Sequence, residues 1–227
     1  MQWVREAIRL AEIRYDRTPG SVRLIGVGKM HSADTLRPMI ELGLEDIGEN
    51  YVQEAMAKQK QLADLAVTWH YIGHIQSNKT REITENFDWV HSVDRVKIAQ
   101  RLSVHRPAGT ADINLCLQVN LEQETSKGGL GEKDIEQVAD EVGCLPHLRL
   151  RGLMAIPRPC ENFDEQRKIF RQVRVVFDRL QSRGHALDTL SMGMSGDMEA
   201  AIAEGATMVR IGTALFGPRP KRPNTGV

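Results

Sequence analysis

The chain has 227 residues, 41% of them hydrophobic and 26% charged, an ordinary globular composition that argues against disorder. Lysine and arginine number 30 and aspartate and glutamate 30, so no basic excess exists to hold a nucleic acid. Three cysteines, Cys116, Cys144 and Cys160, cannot complete a disulfide set and lack metal-type spacing, which fits a reducing cytosol.

The N-terminal segment carries charge in every turn, unlike a signal peptide, and no stretch approaches the roughly 20 apolar residues of a membrane helix. The expectation is a soluble, cytoplasmic, single domain over residues 1–227, with an outer helix within residues 1–18 and a frayed tail over 218–227. Trp3, Val4, Ala7, Ile8 and Ala11 have helical spacing and define that helix's inner face; Leu10 and Ile13 fit it less well. The pattern then changes to a short apolar run, VRLIGVG (22–28), ending in Lys29. A helix follows from Ser32 as N-cap to Leu42, closed by Gly43. Further apolar runs at 46–48, 69–73, 89–93, 113–119, 148–155, 189–192 and 208–211 bring the total to eight. Segments 52–66, 77–86, 95–105, 132–143, 162–184 and 196–205 between them carry apolar residues at three-to-four spacing.

Strands alternating with helices imply parallel strands joined by helical crossovers, and eight such units predict an α/β fold, a single (β/α)₈ barrel of the TIM type. An open Rossmann-like sheet is the runner-up, but no glycine-rich dinucleotide fingerprint follows the first run. Barrel chemistry belongs where strands end and helices begin. Those junctions hold Lys29, Gly48 to Asn50, His74, Gln76, Asn78, Ser92, Asp94, Asn120, Ser126, Lys127, Met154, Ser195 and Arg210 to Thr213. Lys29 closes an apolar strand, where desolvation favours the neutral amine that condenses with an aldehyde. Ser195, Gly212 and Thr213 fall in the loops after the seventh and eighth runs, where barrels build phosphate sites. A lysine and a phosphate seat in one mouth leave two chemistries open: a Schiff-base aldolase on a phosphorylated sugar, or pyridoxal 5′-phosphate (PLP).

Longer motifs separate them. IGENYVQE (47–54), WHYIGHIQSNK (69–79), SKGG (126–129), LRLRGLMAIP (148–157), DTLSMGMSGDMEAAI (188–202) and TMVRIGTALFG (207–217) resemble the pyridoxal-phosphate homeostasis protein family, which is related to the barrel domain of alanine racemase. The resemblance implies a fold type III PLP barrel in which Lys29 forms the aldimine and Ser195, Gly212 and Thr213 hold the phosphate. It also sets Arg210 against the pyridine nitrogen and Asn50 by the ring, with Met192 and Met194 in the pocket wall. Members commonly carry a second lysine two residues after the first, where this chain has His31.

An arginine against the ring nitrogen cannot accept its proton, and it disfavours a second positive charge nearby, so the ring is a weak electron sink. In racemase and decarboxylase relatives a further β domain follows the barrel, whereas this chain ends shortly after Gly217. The expectation is a PLP carrier and buffer in intracellular PLP homeostasis without turnover, with no catalytic residue and no metal assigned. Its partners are PLP and apo-enzymes that use PLP, with neither nucleic acid nor membrane, and the barrel is expected to be a monomer. The alternative is a PLP-dependent amino-acid racemase or decarboxylase of the same barrel type. Elsewhere, His70 and His74 lie four apart but lack a third ligand. Cys116 reads as a core residue, 164–183 as a solvated helix face with some i, i+4 pairs whose arginines have a partner surface as the alternative, and Lys79 and Lys127 as a secondary anion site or surface lysines.

Overall fold

The computed structural model describes residues 1–121 and 128–218. Ser126, Lys127 and most of the expected tail therefore lie outside the described residues. Eight strands close a barrel: β1 (Arg23–Val27), β2 (Asp46–Glu49), β3 (Thr68–Tyr71), β4 (Trp89–Val93), β5 (Ile113–Val119), β6 (Leu148–Ala155), β7 (Thr189–Ser191) and β8 (Met208–Ile211). Each strand pairs in parallel with its sequence neighbours, and β1 closes on β8 with Ile25 opposite Arg210. Helix α1 (Gln2–Arg14) precedes the barrel. The crossovers are α2 (Ala33–Glu41), α3 (Val52–Gln61), α4 (Thr80–Asn86), α5 (Val96–His105), α6 (Glu132–Gly143), α7 (Phe163–Ser182) and α8 (Met198–Ala203), and the short α9 (Thr213–Phe216) follows β8. All eight apolar runs are strands, as their alternation with helical segments requires.

Local chemistry sets the helix ends. The Ser32 hydroxyl accepts from the Thr35 N–H at 3.3 Å, and the Asn162 side chain accepts from the Glu165 N–H at 3.0 Å, so both helices start at a capped residue. Helix α1 departs from its predicted face. Val4, Ile8 and Ala11 are buried, but Trp3 is 60% exposed and Glu12 only 1%. The Glu12 carboxylate accepts from the Gly20 and Val22 N–H groups at 2.9 and 2.8 Å, pinning the turn that feeds β1; those bonds compensate its burial.

Helix α7 also differs from a merely solvated face. Arg167 and Arg171 bond Glu204 at the end of α8, Arg179 reaches Glu136 on α6 at 2.8 Å, and Arg183 reaches Asp140 at 2.9 Å. Within the helix, Arg174 pairs with Asp178 four residues on. The arginines thus join three helices edge to edge. No helix among the described residues is long and apolar enough to cross a membrane.

Two apolar regions result from strand alternation. Outward side chains pack against the helices in one large cluster that includes Leu36, Ile47, Ile83, Leu115, Phe170 and Leu190. Inward side chains form a smaller one, Ile25, Trp89, Cys116, Met154 and Met208, in the lumen. Cys116 is wholly buried there, and burial pushes its thiol up to about 12, so it is an inert packing residue. The lumen is otherwise polar.

Candidate functional site

The inward positions of β1 run Arg23, Ile25 and Val27, and Lys29 follows two residues past the strand's C-terminal end. On the neighbouring strand, Gly28 N–H donates to Gly48 O at 3.0 Å, which brings Lys29 beside the end of β2 and hence beside Asn50. On the other side, Gly26 pairs with Ile211, and the Gly212 backbone lies against Val27. Arg210 N–H donates to Gly193 O at 2.9 Å, drawing in the loop that carries Met194 and Ser195. Lys29, Asn50, Ser195, Arg210, Gly212 and Thr213 therefore occupy one arc of the rim, on four consecutive staves.

Asn50 is placed by a close backbone approach. A Cβ on Gly73 would lie 2.1 Å from the Asn50 carbonyl oxygen, and the Ser92 hydroxyl donates to Gly73 O. Only glycine fits. Gly73→Ala is expected to lower stability by about 1–3 kcal/mol, read by urea denaturation, because two backbones must part; wild-type stability would show that this approach does not fix the rim. The Asn50 Oδ1 is buried and meets no hydrogen-bond partner among the described residues. Such an orphaned acceptor at a rim fits a ligand with a donor group.

Ser195 and Thr213 are exposed at the rim and Gly212 half-buried, so their polar groups are accessible to an anion. Met194 is 38% exposed on the same loop, whereas Met192 is wholly buried in the outer layer with Leu190 and Ala201. Met192 thus supports the wall from behind and does not line the mouth, because strand alternation turns it outward.

Arg210 is buried inside the mouth. Its NH1 donates to the Ser191 carbonyl at 2.6 Å and hydroxyl at 2.7 Å, and its NH2 donates to Ala155 O at 2.8 Å. Burial lowers its pKa to about 10, so it remains a cation at neutral pH. Sequence reasoning missed what lies beneath it. The Ser191 hydroxyl is 2.8 Å from His91 Nδ1, His91 Nε2 is 2.9 Å from His70 Nδ1, and His70 Nε2 is 2.7 Å from Asp46 Oδ1. Asp46 in turn pairs with Arg23 at the opposite mouth. A carboxylate only accepts, so His70 Nε2 is the donor, and each subsequent group then has one role: His91 donates to His70, Ser191 to His91, Arg210 to Ser191. Burial lowers both imidazole pKa values, His91 well below the ordinary range, so both rings are neutral. A directional relay therefore crosses the lumen and fixes Arg210. Strand parity was the signal: Asp46, His70, His91, Ser191 and Arg210 are all inward positions. His70 has its partners inside the lumen and makes no pair with His74.

His31 is buried against Phe216, ring centroids 5.4 Å apart. Lys79 pairs with Glu82 at 2.7 Å and borders a cavity of about 520 Å³ beside Asn50, Tyr51 and His74. Among the described residues no group of three or more histidine, cysteine, aspartate or glutamate side chains could hold a metal ion.

The same architecture occurs in known proteins. The closed parallel barrel is the fold class: alanine racemase of Clostridium difficile 630 shares that fold with a TM-score of 0.73 at 13% identity, over 95% of this chain and 58% of that one. The alanine racemase N-terminal domain model matches residues 10–220. Pyridoxal phosphate homeostasis proteins of Pseudomonas aeruginosa and Escherichia coli K12 are 55% and 47% identical, each over 95% of this chain and over 91% and 94% of their own lengths. PipY of Synechococcus elongatus PCC7942, solved without PLP and with PLP bound, is 42% identical with a TM-score of 0.83, over 93% of this chain and 99% of that one. The chain belongs to the pyridoxal phosphate homeostasis protein family.

Proposed function

We propose that this protein binds PLP as an aldimine on Lys29 and acts as a carrier and buffer of the cofactor, without turnover. The observation that carries the reading is the placement of Lys29, two residues past the C-terminal end of β1, on the arc of rim that also holds the buried cation of Arg210 and the exposed Ser195 and Thr213. Relatives at 55% and 47% identity bear the homeostasis name, and PipY has been solved with PLP bound, which supports the assignment. The cofactor supplies a reactive aldehyde and an electron-accepting ring. Ser195, Gly212 and Thr213 would hold its phosphate, Asn50 Oδ1 would accept a hydrogen bond near its ring, and Arg210 would face the pyridine nitrogen. The three acceptors that hold Arg210 are all neutral and leave it a cation. A cation there opposes ring protonation, which favours holding the cofactor over driving carbanion chemistry.

The test is borohydride reduction of the protein mixed with PLP, followed by peptide mapping. A reduced adduct on Lys29 is expected; an adduct confined to another lysine, or none, overturns the reading. Incubation of the loaded protein with L-amino acids should give neither D-isomers nor amines, and catalytic formation of either would make it a racemase or decarboxylase.

A further inference from the structure

The sequence reading made nothing of Lys58, which sits in a polar stretch of α3. In the folded chain it is 4% exposed, and all three of its ammonium hydrogens are used: on Gly28 O at 2.8 Å, Glu49 Oε1 at 2.7 Å and Glu54 Oε1 at 2.6 Å. Glu54 Oε1 also accepts from the Met30 N–H at 2.6 Å. The residue between Gly28 and Met30 is Lys29. One ion cluster thus grips the peptide on both sides of it, from the outer face of the barrel wall.

The local backbone needs such a grip. Met30 has φ +65°, the left-handed region that a residue with a side chain adopts only where its surroundings enforce it. Gly28 is pressed against the cluster: a Cβ there would come 2.7 Å from Glu49 Oε1 and 2.9 Å from Leu36 Cδ2. Glu54 and Lys58 are four apart on α3 with the acid first, the favourable order for a helical pair, so α3 presents them as a unit.

We propose that Lys58, Glu49 and Glu54 are positioning residues for the Lys29 amine, holding the strand end so that its side chain enters the mouth at the angle an aldehyde requires. The inference rests on Lys29 being the residue that condenses with PLP. In that condensation the Lys29 nitrogen bonds to the aldehyde carbon, the carbonyl oxygen leaves as water with the two amine hydrogens, and nothing is oxidised or reduced. Condensation depends steeply on the approach of the nitrogen, whereas the residues matched to the phosphate, Ser195, Gly212 and Thr213, lie after β7 and β8 and away from Glu54 on α3.

The full-length chain tests it with Glu54→Leu, Glu54→Gln and the charge-neutral pair Glu49→Gln with Lys58→Met. Three quantities are read: borohydride-trapped adduct on Lys29 against PLP concentration, affinity for pyridoxine 5′-phosphate (which has the phosphate and ring but no aldehyde), and hydrogen exchange at the Met30 amide without ligand. Glu54→Leu should raise the PLP concentration needed for trapping by about ten- to a hundredfold. It should also speed Met30 exchange and leave pyridoxine 5′-phosphate affinity unchanged. Glu54→Gln, which keeps an acceptor oxygen for Met30, should restore much of the trapping. Unchanged trapping in Glu54→Leu, or equal losses for PLP and pyridoxine 5′-phosphate, would overturn the proposal. Should the double variant fail to fold, the half-exposed Glu54 alone decides. If the wild-type chain traps no PLP on Lys29, the assignment of that lysine fails instead, and unaltered Met30 exchange in Glu54→Leu would still refute the grip.

Discussion

Lys29→Ala is expected to abolish both the yellow imine absorbance and every reducible adduct at the mouth, while binding of pyridoxine 5′-phosphate persists. The two parts separate because they reside on different staves. The amine is supplied by the end of β1, and the residues matched to phosphate binding, Ser195, Gly212 and Thr213, lie after β7 and β8. A covalent imine can be lost completely, whereas hydrogen bonds to a charged group are worth about 1.5–3 kcal/mol each and stay in place. The variant's affinity for PLP should therefore fall to that for the alcohol vitamer, measured by equilibrium titration of both. A Lys29→Ala protein that stayed yellow and reducible would place the imine elsewhere.

The second large effect concerns acid. His91 is buried and neutral between His70 and Ser191, and burial holds its pKa well below that of an exposed imidazole. The unfolded chain binds a proton at this ring below about pH 6.5 and the native chain does not, so the native state loses stability as the pH falls through that range. Glu49 acts in the opposite sense: burial raises its pKa from 4.5 to about 7, so between those pH values the native carboxyl holds a proton that the unfolded one has released, and above them it is the carboxylate that pairs with Lys58. His70, whose pKa burial also lowers, adds to the His91 effect, so the absolute slope mixes these groups and the comparison with His91→Asn isolates the His91 imidazole. Wild-type stability relative to that variant should decline by about 1.4 kcal/mol per pH unit below 6.5, read by urea denaturation from pH 5 to 7.5. Parallel profiles would mean that His91 is charged in the folded chain and that the relay does not run as its distances imply.

Most of the architecture was legible because it is local. Short apolar runs broken by three-to-four periodicity located all eight strands, and Ser32 was visible as a cap from its place before an apolar period. The position of Lys29 just past β1 was legible for the same reason, since a charge that ends an apolar run stands out. What escaped was set by contacts between distant residues. The relay joins positions 46, 70, 91, 191 and 210, and His70 was weighed against His74, a helical spacing on a chain that is a strand. Lys58 looked like any polar residue of α3 because its burial comes from β2 and the Gly28 carbonyl. Trp3, read as part of the inner face of α1, is exposed, and Glu12 is buried because bonds to two turn N–H groups outweigh hydropathy there. Met192 required the phase of a three-residue strand, too short to read from alternation.

The placement of the aromatic residues gives the barrel an optical reporter of its own. Trp3 stands in solvent, Trp69 lies in the wall, and Trp89 is enclosed in the lumen, its ring 5.7 Å from those of both His70 and His91 and 5.0 Å from the Arg151 guanidinium. With Trp3 and Trp69 replaced by phenylalanine, fluorescence would come from the centre of the molecule alone. Protonation of either imidazole would then register as a change in emission while the surrounding helices remain intact, so interior rearrangement could be followed separately from global melting.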